Sequence, residues 1–162
     1  MRLISLRPPL LLGLLLAAWV FLPAPALRAA WQMEEVRVTV VVVLASERNP
    51  MIDPALKCLA EEVQKKRPQL IGFQQGPQIS KSCVVGKEEP FELIEGQTAQ
   101  ITVRHGANAK NMVCLKVKSP GVGEIVYASV CGKFFPLVTE YRTKQQETLI
   151  LAIRIEPCKG KK

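Results

Sequence analysis

Val36-Arg37-Val38-Thr39-Val40-Val41-Val42-Val43-Leu44 alternates at first and is apolar at every position from Val40 onward. β-Branched residues at this density fit a pleated surface, and the loss of alternation marks a strand covered on both faces. The stretch therefore belongs in the middle of a sheet. After a polar loop, Asp53-Pro54 opens a helix predicted over residues 53–66. Asp53 is placed to accept a backbone N–H as N-cap, and Pro54 at the first helical position has no donor to waste. Leu56, Leu59, Ala60 and Val63 form one apolar stripe. Lys65, Lys66 and Arg67 fall in the last turn, where cations complement the helix dipole, and Pro68 ends it. A second strand is predicted over residues 70–73. If it pairs parallel with the first, the crossover is right-handed.

Beyond Gln78 the apolar period changes from helical to alternating. Strands are predicted over residues 79–85 and 91–94, flanking Gly86-Lys87-Glu88-Glu89-Pro90 as a hairpin or short loop. Further strands are expected over 99–104, 112–117, 124–130, 134–141 and 148–155. The turns between them are Glu95-Gly96-Gln97, His105-Gly106-Ala107-Asn108, Ser119-Pro120-Gly121 and residues 143–146. Strands at this spacing read as an antiparallel meander, a sandwich or an open barrel. The expected fold is one α+β domain over residues 34–158: a strand-helix-strand start followed by the meander.

The N-terminus carries an address. Residues 1–9 include Arg2 and Arg7, residues 10–22 are almost wholly apolar, and residues 23–30 are rich in Pro and Ala. This order is that of a secretory signal peptide, expected over residues 1–26 with cleavage after Ala26, or alternatively after Ala29. An uncleaved anchor is the competing reading, but the apolar run is short for a bilayer span. No second run approaches that length, so the mature chain is expected to carry no membrane span. The destination is the periplasm or the extracellular space. Cleavage after Ala26 lowers the net charge from +8 to +6, and cleavage after Ala29 removes Arg28 as well. The remaining basic residues cluster at Lys65, Lys66 and Arg67 and in a tail over residues 159–162, with Lys159, Lys161 and Lys162. They read either as solvated ends or as contacts to an anionic polymer. Nucleic acid is not an expected partner, since export removes it and no aromatic residues interleave the cations.

Val43-Leu44-Ala45-Ser46, Asp53-Pro54 with Leu56, Glu62-Val63-Gln64-Lys65, and Val130-Cys131-Gly132-Lys133-Phe134-Phe135-Pro136 together resemble a set of exported bacterial α+β proteins without assigned activity. The resemblance covers most of the mature chain. It implies a compartment and a fold, and it carries no functional residue.

The chemistry is read mostly by exclusion. The chain has one histidine, His105, and one aspartate, Asp53. A Ser-His-Asp arrangement would need both, yet Asp53 is accounted for as a helix cap and His105 falls in a turn. Glu61-Glu62 lies off the apolar stripe and reads as solvated. No Cys-x-x-Cys, histidine pair or acidic calcium loop occurs, and no cofactor is expected. Five cysteines remain: Cys58, Cys83, Cys114, Cys131 and Cys158. In an oxidising compartment the default is disulfide stapling, typically about 2–4 kcal/mol per bridge. If residues 143–146 form the turn, Arg142 opposes Glu147 and Cys131 falls opposite Cys158, within bridging reach. Cys58 is then expected to bridge Cys83, leaving Cys114 as the free thiol. Phe134-Phe135 must send one ring to each side of its strand, as core on both sides or as one core ring and one docking knob.

The leading expectation is a non-enzymatic exported domain that binds another envelope protein or an anionic surface polymer. Two alternatives stand beside it. One is a thiol-based redox or cysteine-nucleophile protein using Cys114 or Cys58; the other is a polyanion-binding protein using the two basic clusters.

Overall fold

Burial on both faces defines the strand that opens the domain. The computed structural model describes residues 34–157, all within one compact unit, Gln32–Lys162. The expected signal peptide, Cys158, Lys159, Lys161 and Lys162 lie outside the described residues. Strand β1 (Glu35–Ser46) sits between β2 (Gly72–Val84) and β8 (Thr148–Pro157) in a four-stranded antiparallel sheet, with β7 (Phe135–Arg142) beyond β8. A second antiparallel sheet is the meander β3 (Glu88–Glu92), β4 (Thr98–His105), β5 (Met112–Ser119) and β6 (Gly123–Val130). The fold is an α+β sandwich, mostly antiparallel strand, with one short helix, α1 (Lys57–Gln64).

β1 has neighbours on both sides and a core on both faces. Val36, Val38, Val40 and Val42 pack between the sheets with Phe91, Ile101, Val103, Leu115, Leu151 and Ile153, all at most 2% exposed. Val41, Val43 and Ala45 face the opposite way, under Leu56, Ala60 and Val63 of the helical segment and beside Leu70 and Phe73. An alternating strand buries one face; this one buries two, and each fully buried valine contributes about 1.5–3 kcal/mol of apolar transfer.

The chain does begin strand-helix-strand, and its two strands pair antiparallel, so the condition for a right-handed crossover is not met. β2 runs antiparallel to β1, with Ser46 opposite Gly72 and Glu35 opposite Val84. The helix is therefore an insertion between two strand ends that already face each other, and no crossover handedness arises. The only parallel pairing among the described residues is the bridge Ile52–Phe73. Asp53 does not cap the helix, which begins with a 3-10 turn over Pro54–Leu56. Its carboxylate instead accepts the Gln75 backbone N–H at 2.6 Å, while its own N–H donates to the Phe73 carbonyl at 2.9 Å. The predicted cap is thus a clamp between the helix entry and β2.

β2 is also longer than expected, because the alternating segment at Ile79 continues the strand that begins at Gly72. A bulge at Gly76-Pro77 joins the two parts: Val41 faces Gln78, but Val43 faces Gln75. Of the hairpin or short loop expected around residues 86–90, the structure has the short loop, since β2 and β3 belong to different sheets. Gly86, at φ +88°, makes the passage between them, and its N–H donates to the Val103 carbonyl at 2.7 Å.

Two latches tie the sheets at the opposite end. Glu140 donates its N–H to the Gly121 carbonyl at 3.1 Å, fitting the β5–β6 turn against an irregular stretch of β7. The Glu95 carboxylate accepts the Tyr141 hydroxyl at 2.8 Å and the Lys144 N–H at 3.0 Å. These two bonds, the backbone one first, hold the Glu95 carboxyl below its ordinary 4.5.

Two predictions follow from these contacts. A methyl group on Gly72 would lie 1.8 Å from the Asn49 carbonyl oxygen, so Gly72→Ala is expected to cost about 2 kcal/mol or more in urea unfolding. An unchanged midpoint would show that the loop over residues 47–52 is free to retreat. Because the folded-state pKa of Glu95 is depressed, its contribution is present above the ordinary carboxylate value and lost as pH falls through the lower one. Glu95→Gln should therefore lower the urea midpoint near neutral pH, and the gap to wild type should close in acid. A gap that persisted there would assign the effect to something other than the carboxylate's charge.

Candidate functional site

The helical segment covers only part of the first sheet. Leu56, Ala60 and Val63 sit on the C-terminal half of β1, and the outer surface beside them is left as a groove of about 310 Å³. Val41, Gln78 and Ala152 contribute to its floor from three neighbouring strands. Cys58, Leu59 and Glu62 line it from α1, and Phe134 and Pro136 from the start of β7. Gln75, whose N–H is held by Asp53, is also part of the lining. The clamp that replaced the predicted helix cap therefore ties the helix entry to β2 at a residue that lines the groove.

Phe134 and Phe135 divide as adjacent strand residues must. Phe135 stacks on Tyr127 with ring centroids 4.2 Å apart, joining the two sheets at their edge. Phe134 remains 41% exposed and lies under the Arg154 guanidinium at 4.8 Å. Arg154 is also paired with Glu156 at 3.5 Å. A cation over an exposed ring is worth about 0.5–1 kcal/mol, enough to orient the ring without removing it from water. Of the two readings of the Phe pair, the geometry selects one core ring and one knob.

The chemistry on offer is apolar contact framed by amides. Gln75 and Gln78 supply donors and acceptors, Glu62 a carboxylate and Cys58 a thiol. Such a surface suits an apolar side chain presented by a larger partner, with the amides fixing its orientation. Among the described residues, no group of three or more His, Cys, Asp or Glu side chains stands where it could hold a metal ion.

The expected bridge between Cys58 and Cys83 is not formed. Cys58 is exposed on the helix, whereas Cys83 is buried between the sheets, so the first sheet separates them and they are not bridged to each other. The proposed register for Cys131 also shifts. Residues 143–146 do form the turn, but Thr143 N–H bonds the Glu147 carbonyl and Arg142 faces Thr148 rather than Glu147. Cys131 precedes β7, in the turn after β6, and its thiol donates to the Ile155 carbonyl at 3.2 Å. Burial, with the Glu156 charge second, pushes that thiol's pKa up, which suits a structural side chain rather than a nucleophile. Its expected partner, Cys158, lies outside the described residues.

Cys114 is half-buried on the outer face of the second sheet, where one placement was not foreseen. A bulge in β4 after Val103 sets His105 opposite Cys114 across the β4–β5 ladder. Sequence distance hid this pair, because the bulge that brings them level is a feature of pairing rather than of either strand alone. Lys65, Lys66 and Arg67 are all exposed at the end of α1, so the one described basic cluster is open to solvent.

Compared with protein-family models, curated proteins and solved structures, the chain matches none of them.

Proposed function

We propose that this chain is an exported, non-enzymatic binding domain of the cell envelope, and that it takes an apolar side chain of a protein partner into the groove between α1 and the first sheet. The observation that carries the reading is Phe134, a large ring left 41% exposed over a groove whose floor includes Val41 and Ala152. An exposed aromatic anchor beside a pocket is the arrangement that dominates binding energy in protein interfaces. Export rests on the N-terminal charge and apolar pattern, which supports a partner met outside the cytoplasm.

The test is a comparison of variants. Phe134→Ser removes a ring that is 41% exposed, and its cost should be modest, about 1 kcal/mol, mainly the lost contact with Arg154. An envelope protein retained by the exported wild-type domain should lose at least about tenfold in affinity for Phe134→Ser, as expected for a central aromatic contact. Binding that survives this change but is lost with a triple Lys65, Lys66 and Arg67 to Ala variant, and that weakens steeply with salt, would replace the groove by the polyanion reading.

A second reading, cysteine chemistry, is favoured by the placement of His105 opposite Cys114. An imidazole beside a thiol can accept its proton. If that pair is reactive, alkylation of Cys114 followed by peptide mapping should be faster than at Cys58 and should slow in His105→Ala. Equal rates in wild type and variant would remove this reading.

A further inference from the structure

Two four-stranded sheets have four edge strands, and three of them are guarded. β2 carries Pro77 in its bulge and Lys81. β3 carries Pro90 among Glu88, Glu89 and Glu92. β7 carries Pro136, Glu140 and Arg142 and an irregular stretch that breaks its pairing. Prolines, charges and bulges are the means by which edges are kept from pairing with other chains. β6, Gly123-Glu124-Ile125-Val126-Tyr127-Ala128-Ser129-Val130, has no proline, no bulge against β5 and one charge, near its start.

Its backbone is turned outward in a regular pattern. The Cys131 N–H donates to the Asn111 carbonyl at 2.8 Å, extending the β5–β6 ladder by one hydrogen-bonded pair. In an antiparallel ladder such pairs alternate, so the odd-numbered residues of β6 bond to β5. Glu124, Val126, Ala128 and Val130 direct their N–H and C=O groups away from it. The Val130 carbonyl accepts from Lys133, and no bond among the described residues takes up the others. On the same residues the side chains reach solvent from the sheet's outer face, with Val126 50% and Val130 37% exposed.

We propose that β6 pairs antiparallel with β6 of a second copy of this chain, joining the two meanders into one continuous eight-stranded sheet. The strand is complementary to itself. About a two-fold axis at Tyr127, Val126 lies opposite the second copy's Ala128, and Glu124 opposite its Val130. Each even-numbered pair in this register matches outward-directed backbone groups with outward-directed groups, and no like charges meet. Glu124 also comes to the turn that follows Val130 in the other copy, where Lys133 is exposed. Opposite charges therefore meet at both ends of the seam. The groove over α1 lies on the other sheet, so both copies keep it.

Sedimentation equilibrium under reducing conditions, on protein recovered from its expressing cells, tests this directly. The wild type should pass from monomer to dimer as concentration rises from micromolar to millimolar. Val126→Lys should remain monomeric throughout with an unchanged circular dichroism spectrum, while Phe134→Ser should dimerise as wild type does. Ala128→Glu serves the same purpose if Val126→Lys does not fold. A wild type that stays monomeric at every concentration, or a dimer that persists in folded Val126→Lys or Ala128→Glu protein, would overturn the proposal.

Discussion

The structure depends on β1 being buried on both faces at once. Its even-numbered valines face the second sheet and its odd-numbered residues from Val41 to Ala45 face the helical segment. One strand thus holds two cores together, and neither core is complete without it. The layers follow from this. A strand with apolar residues on successive positions must be covered above and below, and a sheet on one side with a helix on the other satisfies both demands.

Coverage on the helix side is short, and the candidate site lies where it runs out. α1 spans only Lys57–Gln64, while β1 spans Glu35–Ser46. At about 1.5 Å per helical residue against roughly 3.4 Å per strand residue, the helix reaches over less than half of the strand's length. The uncovered part of the sheet becomes partly polar, with Thr39 bonded to Ser80 and Arg154 drawn over Phe134. Between the covered and uncovered parts is the groove, its walls set by a clamp on one side and a cation over an aromatic ring on the other.

The outer face of the second sheet is managed differently. Lys116 and Lys118 each lie between Glu88 and Glu124, at 3.4–3.9 Å. The Glu88 hydrogen bond and charge, with Glu124 adding to them, hold Lys118 above its ordinary value. Exposed pairs of this kind contribute little to stability and keep a β surface soluble. Their protection stops at Glu124, after which β6 shows only apolar and small polar side chains.

Sequence alone was enough for whatever depends on neighbours along the chain. The doubly buried strand, the Leu56, Ala60 and Val63 stripe, the inward faces of β4 and β5, the turn over residues 143–146 and the α+β class were all legible, because side-chain period reports burial directly. Strand direction was not: period is the same in parallel and antiparallel pairs, so the β1–β2 pairing needed the register itself. Nor was the role of Asp53, since a cap and a cross-chain clamp use the same carboxylate and differ only in which N–H comes within reach. Bulges at Gly76-Pro77, after Val103 and within β7 shift pairing by small steps, and those steps placed His105 beside Cys114 and moved Arg142 from Glu147 to Thr148. The sequence by itself determined which faces of the strands and helix are buried, for that follows from the local hydrophobic pattern. Only the tertiary structure decided which of them meet, because contacts between strands depend on register, and register is settled by all the strands of a sheet packing together.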